Sequence, residues 1–76
     1  MIKELDVVVL TAAFPSEGLE PGDVGTVVHA YEDGQAFEVE VTTLDGETAA
    51  VVTAEASQVR PAGPREVTHA REMAAR

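Results

Sequence analysis

The stretch Pro21–Val28 constrains the fold of this chain more than any other, because it joins a turn to the start of a strand. Gly22 can adopt a positive φ without steric cost, which suits the Gly-Asp turn that it begins. Gly25 carries no side chain, so a second backbone can pass close to it. The β-branched residues that follow favour a strand. The stretch therefore predicts the point where a loop enters a strand of a small barrel.

Further strands follow from the apolar pattern and from two Asp-Gly pairs. Asp33-Gly34 and Asp45-Gly46 supply the positive φ that tight hairpins require. Between them, apolar residues alternate with Glu38, Glu40 and a threonine, which is the cleanest period-two pattern in the chain. The predicted strands are Leu5–Leu10, Val24–Tyr31, Phe37–Thr42, Thr48–Thr53 and Gln58–Arg60.

The inward faces of two strands stay open from the sequence alone. In Val7–Leu10, either the odd or the even positions could face the core; the even ones are preferred because Asp6 then lies at the entry of the strand. In Ala49–Val52 both alternatives remain. We expect the core to contain Val8, Leu10, Val27, Phe37, Val39 and Val41.

The connections complete the outline of an all-β, five-stranded SH3-like barrel over residues 1–61. Prolines and Gly18 keep the long loop Thr11–Pro21 irregular, and Ala54–Ser57 is predicted to form a helical or 3₁₀ turn before a last strand that Pro61 stops. Residues 62–76 are predicted to be a tail that is either flexible or a short helix. Its thin apolar stripe consists of Val67, Ala70, Met73 and Ala74.

Charge divides the chain into two unequal parts. Residues 1–60 hold two basic residues, Lys3 and Arg60, against twelve acidic ones, whereas residues 61–76 hold three arginines against two glutamates. The whole chain has a net charge of −9. Because Lys and Arg dominate affinity for phosphate backbones, this surface argues against a nucleic-acid partner.

Composition narrows the class of protein further. The chain has no cysteine, so neither a disulfide nor a thiolate zinc site can hold it together. No apolar run approaches the 18 or so residues of a membrane span, and the N-terminus lacks the layout of a secretory signal. We therefore expect a cytoplasmic protein that does not associate with a membrane.

Residues that could catalyse a reaction are scarce. His29 falls within a strand and His69 within the tail, and neither serine has a histidine beside it in sequence. No pair of histidines has metal-ligand spacing. The sequence predicts no catalytic residue, no metal site and no cofactor. With one tyrosine, two phenylalanines and no tryptophan, it also cannot form the aromatic groove of a proline-binding SH3 module.

The order of these motifs resembles a family of small bacterial proteins that is described only as a domain of unknown function. The resemblance covers about residues 4–61 and is most specific over Gly18–Val28 and Phe37–Val41, with support from Leu5–Leu10, Tyr31, Asp45-Gly46 and Val51–Thr53. It implies an SH3-like barrel, no known catalytic activity, and genes for toxin-like nucleases nearby. It implies no binding residue.

Acidic side chains provide the candidate binding surface. Glu38 and Glu40 project from one face of their strand, and acidic residues also occupy the turns at its two ends. If these groups share a barrel face they form a patch for a basic protein; otherwise they are a solvated surface. The candidate partner-binding residues are Glu32, Asp33, Glu38, Glu40, Asp45 and Glu47.

These observations favour a non-enzymatic protein-binding module that docks on a basic protein. Such a module could neutralise a toxin, as an antitoxin or immunity-like protein whose acidic surface mimics nucleic acid. The alternative is an accessory module that docks on or stabilises a larger enzyme. The sequence names neither the partner nor the oligomeric state.

The acidic barrel generates a prediction about nucleic acid. Because residues 1–60 carry ten more acidic than basic side chains, the protein should not bind duplex DNA or structured RNA. A gel shift at low salt measures this. Micromolar binding that weakens steeply as salt is added would contradict it.

Overall fold

Five antiparallel strands form one sheet in the computed structural model, which describes residues 1–73. The order across the sheet is β4-β3-β2-β1-β5, which is that of an SH3-like barrel. Short 3₁₀ turns at Pro15–Glu17 and Ala56–Gln58 are the only helical segments in the described part of the chain. The strands are β1 Val7–Leu10, β2 Val24–Ala30, β3 Ala36–Thr42, β4 Thr48–Glu55 and β5 Val59–Pro61.

The core lies on the inner face of this sheet and confirms the predicted set. All six predicted residues are buried, and the even positions of β1 face inward as preferred. In β4 the even positions Ala50 and Val52 are inside, whereas Val51 is 51% exposed. The loop before β2 closes one end of the core, because Leu19 is buried and pairs across a bridge with half-buried Phe14.

Gly25 allows β2 to lie close against β3, as expected from the sequence. A Cβ at this position would lie 2.6 Å from Val39 Cγ1 and 2.8 Å from the backbone oxygen of Glu40. Two residues further on, the register between β2 and β3 shifts between Val27 and His29. The extra residue of this bulge increases the local twist of the strand.

Six predicted strand boundaries need correction. Two shift by one residue: β3 begins at Ala36, and β5 begins at Val59 because Gln58 belongs to the 3₁₀ turn. β1 begins at Val7 because Leu5 has a φ of 73° and the Asp6 carboxylate accepts the Lys3 backbone N–H at 3.0 Å, which forms a turn. β2 ends at Ala30, before Tyr31, whose backbone N–H and oxygen bond to Ala36 and Gly34 within the hairpin connection.

The other two corrections concern the end of the barrel. β4 continues past Thr53 to Glu55, because Ala54 pairs with Phe37 and is fully buried. The 3₁₀ turn therefore begins at Ala56 rather than Ala54. Pro61 does not stop β5 but is its last residue, opposite Val8, since an edge strand tolerates a proline where no N–H is needed.

The tail is not helical over residues 65–73, so of the two alternatives that the sequence left open the short helix does not form there, while Ala74 lies outside the described residues. Glu66 forms a turn instead: its Oε1 accepts the Gly63 N–H at 2.6 Å, and its carboxylate receives both terminal nitrogens of Arg60. These contacts fix the start of the segment in a non-helical conformation, and Met73 packs against the core cluster.

Phe37 provides a test of this core. It is only 4% exposed and pairs with Ala30 and Ala54 on the two neighbouring strands. Phe37→Ala should lower the free energy of unfolding by about 3–5 kcal/mol, because the cavity that it leaves can relax only partly. Chemical denaturation measures the change, and Val51→Ala on the exposed face serves as the matched control. Equal effects of the two substitutions would contradict the observed register.

Candidate functional site

The six predicted acidic residues lie along the β2–β3–β4 sheet, but they do not gather at one point. Glu38 and Glu40 are on β3, whereas the others occupy the turns before and after that strand. β3 runs from Ala36 to Thr42. At about 3.4 Å per residue, the two turns are on the order of 20 Å apart. The acidic groups therefore form a row rather than a pocket.

Glu38 is held in place by two hydroxyl groups. Tyr31 Oη and Thr53 Oγ1 each donate a hydrogen bond to Glu38 Oε2 at 2.7 Å. These bonds, that from Tyr31 first, lower the pKa of the Glu38 carboxyl below its usual value. The same contact raises the pKa of Tyr31. Glu38 is thus a fixed carboxylate at neutral pH, only half-buried, with His29 opposite it on β2.

Glu40 lies in a row of side chains that crosses the outer face of the sheet. The register aligns Val7, Thr26, Glu40 and Val51 on four neighbouring strands. Thr48 Oγ1 donates to Glu40 Oε2 at 2.5 Å. Because Val7 and Val51 are half-exposed, this outer face presents a carboxylate between apolar side chains.

Both aspartates in the turns serve the hairpins themselves. Asp33 Oδ1 accepts the Gln35 N–H at 3.0 Å. Asp45 accepts the Thr43 hydroxyl and the Glu47 N–H, and these bonds lower the pKa of its carboxyl. Among residues 1–73, the side chains of Glu32 and Glu47 make no hydrogen bond and are exposed. The predicted patch therefore contains both structural and uncommitted carboxylates.

A cleft that the sequence did not predict lies between the outer face and the tail. It has a volume of about 770 Å³ and runs from the β2 residues Val24–Thr26 and the β3 residue Glu40 to the tail segment Thr68–Met73. Val9 points to this outer face, opposite Val24 and Arg60, and is only 8% exposed. Glu40 therefore lies in the cleft beside the tail, whereas Glu38 lies outside it.

Arg71 attaches the tail to the loop before β2. Its Nε and Nη2 donate to the two carboxylate oxygens of Asp23 at 3.0 and 2.5 Å, and Nη2 also donates to the backbone oxygen of Gly18 at 2.9 Å. Partial burial raises the pKa of Asp23, but the bonds from Arg71 and from the Glu20 N–H outweigh it, so the pKa is lowered. No sequence spacing points to a contact between residues 48 positions apart; only the opposite charges of body and tail hint at it.

Within residues 1–73, no group of three or more metal-ligating side chains comes together, and no helix has the length and apolar character of a membrane span. His29 is half-exposed and contacts the edge of Tyr31, with ring centroids 4.7 Å apart. This is the strand position that the sequence predicted for it.

Comparison with known proteins places the barrel in a family. The model of the family described as Domain of unknown function (DUF4926) matches residues 4–61. The chain belongs to this family. The match covers all five strands and ends where β5 ends, and it leaves out the tail that carries Arg71. No curated protein and no solved structure gives a significant match.

The bonds to Glu38 generate a prediction about pH. Tyr31→Phe should raise the pKa of Glu38 towards its ordinary value, because the strongest donor to the charged form is lost. A carboxyl whose pKa is lowered by folding stabilises the folded protein at pH values above its ordinary pKa. This stabilisation is lost as the pH falls through the pKa of the folded state. The variant should therefore lose less stability than the wild type when the pH is lowered. NMR titration of the Glu38 side chain measures the shift.

Thr43→Ala is the control for this experiment. It removes the hydroxyl that bonds to Asp45 and should leave the Glu38 titration unchanged. If Tyr31→Phe also leaves it unchanged, the Tyr31–Glu38 contact does not exist in solution.

Proposed function

We propose that this protein is a cytoplasmic, non-enzymatic binding module that docks on a basic protein through the outer face of β2, β3 and β4. The observation that supports this most directly is the fixed position of Glu38. Its carboxylate is held by two neighbouring hydroxyls, and Tyr31 and Val51 are exposed on the same face.

Such a face combines two properties that a protein interface needs. Carboxylates that are already oriented lose little side-chain entropy when a partner's Lys or Arg arrives. Exposed Val51, Val28 and the ring of Tyr31 offer apolar area that a partner can cover. Glu32 and Glu47, at opposite ends of β3, extend the negative potential along the strand and would steer a basic partner towards it.

The net charge of −9 favours one class of basic partner in particular. A nuclease exposes a positive surface to its polyanionic substrate, and an acidic protein can occupy that surface in place of the nucleic acid. We therefore propose an antitoxin or immunity-like role, in which the module neutralises a nuclease-type toxin encoded nearby. The resemblance noted from the sequence, with toxin-like genes in its context, points the same way.

Reversing the charge of the face tests the proposal. Glu38→Lys/Glu40→Lys should slow association with the co-purified product of the adjacent gene by about tenfold or more at low salt, because electrostatic steering is lost. Surface plasmon resonance measures the association rate. Circular dichroism should show an unchanged fold, since both side chains are on the outer face.

Two controls make the result interpretable. Glu38→Gln/Glu40→Gln removes the charge with little change of shape and should show a smaller effect in the same direction. Glu17→Lys, compared with Glu38→Lys alone, makes the same change in net charge in the 3₁₀ turn Pro15–Glu17 and should slow association much less. Wild-type association of the Lys double variant would show that the β3 face is only a solvated surface.

A further inference from the structure

We propose that the loop Gly18–Asp23 is a binding site for an arginine on an extended segment of the basic partner, and that Arg71 of the chain's own tail occupies it in the structure. The inference rests on the proposed function, since it names the side chain by which a basic partner would be held. The arginine site would be a second point of contact with the partner besides the β3 face. Arg71 would compete with the partner's arginine for this site.

The site matches the shape of a guanidinium group. Both Asp23 carboxylate oxygens accept from Arg71, and the Gly18 backbone oxygen accepts from the same Nη2. Glu20 Oε1 lies 3.7 Å from Nε and adds negative charge. A planar fork of donors can satisfy these acceptors together, whereas the ammonium of a lysine is a compact charge and cannot. The site is therefore selective for arginine.

The loop is held in place by bonds that do not involve the tail. The Glu20 N–H donates to Asp23 Oδ2 at 2.8 Å, which fixes the carboxylate. The Gly22 N–H donates to the backbone oxygen of Leu10, and the Leu10 N–H donates to the backbone oxygen of Asp23, each at 2.8 Å. Leu19 anchors the loop in the core. The acceptors should thus keep their positions when Arg71 leaves.

The contact between Arg71 and the site remains partly open to water. The Arg71 side chain is 27% exposed and that of Asp23 16% exposed, so solvent screens the pair in part. The acceptors belong to the residues that match the family, 4–61, whereas Arg71 lies outside that match. The residues that accept hydrogen bonds from Arg71 thus lie within the family domain, whereas the arginine lies outside it.

Space beside the arginine fits an extended chain rather than an isolated side chain. The cleft of about 770 Å³ passes from Asp23 along Val24 to Glu40. Met73, two residues after Arg71, lies over Gly18, where a Cβ would come within 3.4 Å of its Cε. An arginine followed two positions later by an apolar side chain therefore fits the groove, and the same segment would reach the β3 face at Glu40.

The chain's own tail occupies the arginine site and therefore lowers the affinity of the site for a segment of another protein. Short tethers give effective concentrations in the millimolar range. If the tail binds with a dissociation constant of about 0.1 mM, it reduces the apparent affinity of a competitor about tenfold. Displacement of the tail would then expose Asp23 and the neighbouring cleft residues Val24–Thr26.

The experiment supplies the tail as a separate molecule. The probe is a synthetic peptide of the chain's own residues 65–73, added to the ¹⁵N-labelled full chain carrying Arg71→Ala/Met73→Ala, at low salt. We expect saturable shifts of the Gly18 and Asp23 amide signals. The wild-type protein should bind the peptide at least about tenfold more weakly, because its own tail competes. A peptide with Arg71→Lys should bind clearly more weakly than the original.

Each outcome decides the matter. Absence of saturable shifts in the double variant, with a native-like spectrum, overturns the proposal, as does equal binding of the Arg71→Lys peptide. Equal affinity of the wild-type and variant proteins for the peptide would show that the tail does not compete for the site. Because the assay contains no partner protein, its failure leaves the β3-face proposal standing, and failure of the Glu38/Glu40 experiment leaves this site standing.

Discussion

The close contact between β2 and β3 at Gly25 is the constraint on which the rest of the structure depends. β2 is the central strand of the sheet, and at Gly25 the space for a side chain is filled by Val39 and Val41. A side chain there would displace β3 backbone, because the Glu40 oxygen lies only 2.8 Å from the Cβ position. The contact allows β2 and β3 to lie close together, with Val39 and Val41 filling the core beside Gly25.

Several carboxylates of this protein are committed to its local structure. Asp6, Asp23 and Asp33 each accept a backbone N–H from a neighbouring residue, and Glu55 caps the 3₁₀ turn that follows β4. The pKa of Glu66 is lowered to about 2 by Arg60 and by the Gly63 N–H. The net charge therefore overstates the number of carboxylates that are available to a partner. The position of each carboxylate in the fold shows whether it is available.

The barrel could be predicted because its signals are local. Alternation in β3 and two Asp-Gly turns specify a meander of β2, β3 and β4, in which each strand pairs with the next, and the buried residues follow from that register. β4 was predicted too short because Ala54 and Glu55 carry no strand preference of their own; Phe37, on the neighbouring strand, holds Ala54 in place. Pairing between residues of two strands leaves no signal in the sequence of either strand alone.

The tail could not be predicted for the same reason. Its composition favours a helix, but twelve residues with a thin apolar stripe gain little from helix formation alone. Glu66 and Arg71, which would have been on the polar side of that helix, instead find partners in the barrel at Arg60 and Asp23. Two charge-assisted contacts with distant residues thus outweigh a weak local preference.

The route of the tail also changes how the acidic face should be understood. Glu40 lines the cleft beside the tail, whereas Glu38 does not, so the tail lies near only one carboxylate of the pair. A basic partner that first meets Glu38 would find the neighbouring part of the face occupied by a segment whose arginine already pairs with Asp23. Because the Arg71–Asp23 pair would have to open first, a partner that binds as proposed would advance as the tail withdraws. Association would then proceed in two steps, with charge governing the first and release of the tail governing the second.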